Sequence, residues 1–282
     1  MLSHDSYSWE GARPAIEELR RRRIPLVFCT SKTRAEVKPL REAIGNNDPF
    51  IVENGGVVIV PAEKSPRPAP PKGRARTLLL GQPHNQVVAA LRKIARKNGI
   101  RVRGFRQMTN KEVAERTGLP LKEAALARQR ETGEPFLFED ATQREIRSFT
   151  RIAHELGYTI QRGGRFWHFS AGCDKGLALS AVVSYYRMAW RTEIRTIALG
   201  NSANDLPMLQ LVQWPILMPL PDGSYDAEVT KALPRIERSP EPAPEGWGHA
   251  VLHAVTSLEQ TRKHPPVSTS RIDFDEHPGL GA

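Results

Sequence analysis

The chain has 282 residues, 39% hydrophobic and 26% charged, with 41 Lys and Arg against 31 Asp and Glu for a formal charge of +10. That length allows a substantial core in one or two domains, and two cysteines, Cys29 and Cys173, are too few for a disulfide framework and lack metal-ligand spacing. No apolar run approaches the roughly 20 residues of a bilayer span and the start M-L-S-H-D-S-Y lacks an apolar signal core, so a cytoplasmic protein without a membrane partner is expected.

Taken in order, Pro14 to Arg23 carries Ala15, Ile16 and Leu19 at helical spacing and ends in the basic cluster favoured at a helix C-terminus. Ile24 to Cys29, I-P-L-V-F-C, reads as a buried strand, and the polar T-S-K-T of Thr30 to Thr33 precedes a helix over Ala35 to Ile44. Phe50 to Val52 and Val57 to Val60 flank E-N-G-G, a bend with its polar tip on the same edge. Pro61 to Arg76, rich in Pro, Lys and Arg, is expected to be an exposed connector. Beyond it, strands are expected at Thr77 to Leu80, Ile100 to Phe105 and Pro135 to Phe138, and helices at Asn85 to Asn98, Lys111 to Thr117, Leu121 to Arg130 and Thr142 to Leu156. Tyr158 to Arg162 and Arg165 to Ser170 form a hairpin around Gly163-Gly164. Asp174 caps an apolar helix over Leu177 to Trp190.

The organising stretch follows, Thr196 to Leu209, T-I-A-L-G-N-S-A-N-D-L-P-M-L. Its apolar run suits a parallel strand, Gly200 permits a sharp exit, and Asn201, Ser202, Asn204 and Asp205 are cap-type residues before Pro207 opens a helix. The same residues would serve an ordinary strand-to-helix loop, or a ligand site at the carboxyl end of a parallel strand. Further on, Pro215 to Pro219 reads as a last strand, Trp247 to Leu258 as a helix and Thr261 to Ala282 as a disordered tail. The basic residues are scattered and accompany no recognisable nucleic-acid-binding motif, so no nucleic-acid partner is expected.

A hydroxyl at Thr30, a cation at Lys175 and an acidic loop at Asp205 together fit phosphoryl transfer, which depends almost entirely on positioning and charge stabilisation. With the ordered series H-D-S-Y-S-W, F-C-T-S-K-T, E-N-G-G, L-G-Q-P, R-E-T-G-E-P-F, G-G-R-F-W-H, D-K-G, N-D-L-P-M-L and P-E-G-W, the chain resembles the haloacid dehalogenase-like phosphatases, specifically the mannosyl-3-phosphoglycerate phosphatase family. The resemblance runs from residue 4 to about 255 and implies an α/β, Rossmann-like core (1–76 with the linker, and 171–260) interrupted by an α+β cap (77–170), with the tail at 261–282. It implies Mg2+-dependent hydrolysis of a small phosphorylated sugar acid, a glycosyl-3-phosphoglycerate, to the glycosylglycerate. Thr30 and Lys175 would be catalytic. Ser31, Lys32, Asn54, Arg130, Gly164, Arg165 and His168 would bind substrate. Asp205, Asn201 and Asn204 would form the metal loop.

Two departures stand out. The family's nucleophile motif D-x-D-G-T, expected just before Leu2, is absent, and Asn201 stands where the family has a carboxylate in G-D-x-x-N-D. Three readings follow: a gene product whose true start lies upstream, a pseudo-phosphatase that binds phosphorylated ligands, or a truncated remnant. The first is preferred because the other motifs are intact, and it predicts an in-frame apolar run and D-x-D-G-T upstream of Met1. A core lacking that central strand would leave ladder groups unpaired, at roughly 1–3 kcal/mol each.

Overall fold

The computed structural model describes residues 1, 8–62, 75–163 and 166–263. Helix α1, Arg13–Arg21, buries Ala15, Ile16 and Leu19, the stripe its spacing predicted. Strand β1 covers only Phe28–Cys29 of the expected Ile24–Cys29 run. The reason is local: Leu26 N–H donates to Asp48 Oδ2 and its carbonyl accepts from Asn46 Nδ2, so side chains satisfy backbone groups that a ladder would otherwise need. Helix α2, Arg34–Ile44, starts at a capping box between Thr33 and Glu36 and stops at left-handed Gly45. Strands β2 (Phe50–Val52), β3 (Val57–Val60) and β4 (Arg76–Leu79) complete a sheet of order β1-β2-β3-β4. The first pair is parallel and the rest antiparallel.

The pairing of β4 with β3 moves a boundary. Residues 77–79, expected to open the insert, lie in the first sheet, and the chain leaves that sheet only after Leu79. The expected connector at Pro61 to Arg76 falls mostly outside the described residues, as do His4 to Tyr7 and the end of the tail.

The inserted unit contains α3 (His84–Lys97), β5 (Arg101–Gly104), α4 (Asn110–Thr117), α5 (Leu121–Ala127), β6 (Glu134–Glu139), α6 (Gln143–Glu155), β7 (Tyr158–Arg162) and β8 (Trp167–Ala171). Its strands form an antiparallel sheet ordered β5-β6-β8-β7. Val87 and Leu91 of α3 and Phe149 of α6 pack on Phe136 and Phe169 of that sheet. Thr142 caps α6 with Glu145, and Thr109 caps α4 with Glu112.

The chain returns through α7 (Lys175–Trp190) into β9 (Ile197–Gly200), α8 (Leu206–Leu209), β10 (Trp214–Leu217), α9 (Ala227–Ala232), β11 (Glu237–Arg238) and α10 (Glu245–Lys263). The sheet ordered β11-β10-β9 is wholly parallel. Helix α9 and strand β11 were not expected from the sequence. Among the described residues β1 and β9 each end their own sheet, yet both sit on common apolar cores: Phe28, Ile197 and Leu199 pack with Ile216 and Trp247, and Cys29 packs with Ala198 and Leu217. No helix among the described residues is long and apolar enough to cross a membrane.

Candidate active site

Three loops meet where β1, β2 and β9 end. Thr30 follows β1 directly; its N–H donates to Ile51 O at 3.1 Å, its carbonyl accepts from Asn54 N–H at 3.0 Å, and its hydroxyl oxygen accepts from Lys32 N–H at 3.2 Å. These bonds hold the T-S-K-T loop against the turn after β2. That turn is strained: Glu53 and Asn54 have φ of +53° and +56°, a left-handed backbone uncommon for residues with side chains.

Lys175 opens α7 behind the N-cap Asp174, whose Oδ1 accepts from Leu177 N–H at 2.8 Å. The ammonium donates to Asp205 Oδ1 at 2.6 Å, and both side chains are buried. Burial alone would pull the Lys175 ammonium down, but the neighbouring Asp205 charge and their hydrogen bond carry it above the ordinary lysine value. Asp205 Oδ2 accepts from Asn201 N–H (2.9 Å), Ser202 N–H (3.2 Å) and the Ser202 hydroxyl (3.3 Å), closing the loop on itself. Gly200 and Gly176 are required here: a Cβ at Gly200 would overlap the Asp205 side chain, and one at Gly176 would lie 2.7 Å from Pro207 O. Asn204 Nδ2 donates to Asn54 Oδ1 at 3.1 Å, tying the third loop to the second.

The structure thus brings together Thr30, Asn54, Lys175, Asn204 and Asp205. Asn201 is exposed at the same loop, with its backbone on Asp205. Burial pushes the thiol of Cys29, just before Thr30, up to about 12, and Asp205 adds to the shift against the pull of Lys175, which disfavours the thiolate.

His168 lies on β8, opposite Gln161 and Pro135. Burial, and then the charges of Arg130 and Lys175, lower its imidazole to about 3, so β8 stands within electrostatic reach of the core cation. Arg130 lies in the loop between α5 and β6, its side chain 4% exposed. Its Nε donates to Gly133 O at 2.7 Å, Nη2 reaches Ser31 O at 3.3 Å, and Nε lies 3.6 Å from Glu53 Oε2. The expected helix over Leu121 to Arg130 ends at Ala127, which is why Arg130 is in a loop at all. Lys32 forms a 3.6 Å ion pair with Glu36. Gly164 and Arg165 lie outside the described residues.

Two buried carboxylates were not singled out from the sequence. Glu134, 1% exposed, holds His84 Nε2 at 2.6 Å and accepts from Arg106 N–H inside the insert. Glu53 is equally buried and faces the Arg130 loop. The available signal was its place, a charged residue directly after an all-buried strand.

The resemblance implies magnesium at the Asp205 loop. It needs near-octahedral oxygen ligands at about 2.1 Å, commonly one or two carboxylates. Asp205 has both oxygens engaged by protein donors, and no group of three His, Cys, Asp or Glu side chains suited to a metal occurs among the described residues. By themselves these residues do not fit a magnesium site.

Residues 122–220 match the family model of the haloacid dehalogenase-like hydrolases. The chain is 36% identical over 261 residues to a glucosyl-3-phosphoglycerate/mannosyl-3-phosphoglycerate phosphatase of Methanococcoides burtonii, covering 90% of this chain and 93% of that one. It is 34% identical to a protein of the same name from Persephonella marina, covering 92% and 95%. Among solved structures, a haloacid dehalogenase-like hydrolase from Bacteroides thetaiotaomicron superposes with a TM-score of 0.60 at 16% identity, covering 90% and 95%, a likeness of fold.

Proposed function

Because the chain belongs to the haloacid dehalogenase-like hydrolases, and within them to the glucosyl-3-phosphoglycerate/mannosyl-3-phosphoglycerate phosphatases, we propose that its site takes a mannosyl- or glucosyl-3-phosphoglycerate and serves hydrolysis of the phosphate ester. Its class is phosphoric monoester hydrolase. The observation that carries the reading is the convergence of Thr30, Lys175 and the Asp205 loop at the ends of β1 and β9. Fixed donors and a buried cation at one point suit a phosphoryl group, whose charge must be neutralised without reorganisation.

In this reading the Thr30 hydroxyl donates to a phosphoryl oxygen, and Lys175, held by Asp205, neutralises the group. His168, neutral at working pH, offers a hydrogen bond to the glycosyl or glycerate portion. Magnesium would add charge neutralisation at the phosphate, and it requires carboxylates beyond Asp205. The 282 residues contain no D-x-D-G-T run to supply the attacking aspartate. The polypeptide from Met1 is therefore expected to bind without turnover.

The test is phosphate release from both glycosyl-3-phosphoglycerates, with and without magnesium. It compares the chain from Met1 with one preceded by an apolar strand and D-x-D-G-T. Turnover by the longer protein alone is the expected result. Comparable turnover by both would refute the assignment of the nucleophile, and turnover by neither would favour a ligand-binding pseudo-phosphatase.

A further inference from the structure

The buried Glu53 takes no part in the chemistry above, and its bonding pattern is unusual. Its carboxylate is fully enclosed, yet among the described residues the hydrogen bonds it accepts come from the insert. Oε1 accepts from Glu131 N–H at 2.8 Å, and Oε2 accepts from Thr132 N–H at 2.9 Å and the Thr132 hydroxyl at 3.0 Å. The Arg130 guanidinium supplies the countercharge at 3.6 Å. A buried carboxylate needs such a set of donors, because each one left unmade is costly.

The four residues Arg130 to Gly133 lie at both chain crossings between core and insert. A Cβ on Gly81, at the entry, would come within 3.1 Å of both the Thr132 side chain and Cys173 Sγ, at the exit. His84 N–H donates to Glu131 O at 2.9 Å, and Gln82 N–H to Ala171 O at 3.2 Å. Gly56 is in contact too, since a Cβ there would overlap Thr132 Oγ1. One further link runs the other way: Asn54, next to Glu53 in the same left-handed turn, accepts from Asn204 of the Asp205 loop.

We propose that Glu53 is a positioning residue: its carboxylate fixes the pivot of the inserted unit on the core, and through Asn54 the same turn sets that unit in register with the Asn201–Asp205 loop. The groups it holds are backbone amides at the joint, so its loss shifts the insert as a body rather than unfolding it. A ligand that touches both parts should feel the change. A ligand confined to the core should not.

The chain with Glu53→Gln keeps the side-chain shape but loses the charge and one acceptor. Amide hydrogen exchange at Glu131 and Thr132 should rise about tenfold or more, the scale of losing hydrogen bonds to a charged acceptor. Exchange in α3 and α10 should stay unchanged. Calorimetric affinity for mannosyl-3-phosphoglycerate should fall about tenfold while that for inorganic phosphate stays within about twofold. Unchanged exchange at Glu131 and Thr132 would overturn the proposal, as would a uniform rise through α3 and α10 or an equal loss for both ligands. If Glu53→Gln does not fold, Thr132→Val, which removes only the hydroxyl donor, should give a smaller rise confined to the same amides; no local rise would also overturn it. The ligand arm rests on the substrate reading above. A wild-type chain that binds phosphate but no glycosyl-3-phosphoglycerate would refute that reading, and the exchange arm would still decide the role of Glu53.

Discussion

The Lys175–Asp205 pair supports a quantitative prediction. Both side chains are less than a tenth exposed and meet at 2.6 Å. Asp205→Leu leaves a buried ammonium without its anion and two loop amides without an acceptor, and breaking such a pair from one side costs about 3–5 kcal/mol. Against a total stability of roughly 5–15 kcal/mol this is a large share. Lys175→Met should cost less, about 1–3 kcal/mol, because the carboxylate keeps the Asn201, Ser202 and Ser202 hydroxyl donors. The double variant removes both charges and should cost about 1–3 kcal/mol, far below the sum of the singles. The assay is urea denaturation of the four proteins at pH 7, with slopes checked for equality. A pH series adds an independent reading. In Asp205→Leu the buried lysine should titrate below its unfolded value, so the unfolded chain binds more protons between the two values and stability should rise with pH there; in Lys175→Met it should not. Additive singles would refute the view that the pair is an interdependent buried unit, and Lys175→Met costing as much as Asp205→Leu would refute the compensation of Asp205 by its loop donors.

His168 titrates near 3 in the folded chain against about 6.5 unfolded, so acidification favours the unfolded state across that window. The full effect between pH 6.5 and 5 would be about 2 kcal/mol; the ring is crowded by protein but keeps intermediate solvent exposure, and screening reduces the expectation to about 1 kcal/mol. His168→Gln should flatten that part of the stability curve, and an unchanged slope would place the acid sensitivity elsewhere. Gly55→Ala combines a φ of +97° with a Cβ that would overlap the Asp174 carbonyl, and should lower stability by about 2–4 kcal/mol in thermal denaturation; a loss below about 0.5 kcal/mol would mean the turn gives way freely. In the protein extended with D-x-D-G-T, Asn201→Asp should tighten magnesium by about tenfold or more, since it returns a charge to the loop. Equal affinities by calorimetry would remove Asn201 from the metal loop.

Much of the architecture could be read from local chemistry. Thr33 with Glu36, Thr109 with Glu112 and Thr142 with Glu145 are pairs three residues apart, and each starts a helix because its bonds close within a single turn. Asp174 before α7 and the apolar stripe of α1 are likewise local, as is the strand-loop-helix pattern at Gly200. The ordered motifs carried the family and the candidate residues Thr30, Lys175 and Asp205.

What the sequence could not decide were the partners. The β4 run reads alike whether it pairs with β3 or opens the insert, because alternation alone does not name a neighbour. Strand β11 has two residues and becomes a strand only beside β10. Glu53 and Thr132 are 79 residues apart, Asn54 and Asn204 150 apart, and Lys175 and Asp205 30 apart. A carboxylate's role depends on which donors the folded chain puts around it. The same residue type became a helix cap at Glu36, an insert clasp for His84 at Glu134 and the anchor of a core-insert joint at Glu53, according to the amides, imidazole or guanidinium that tertiary packing brought within reach.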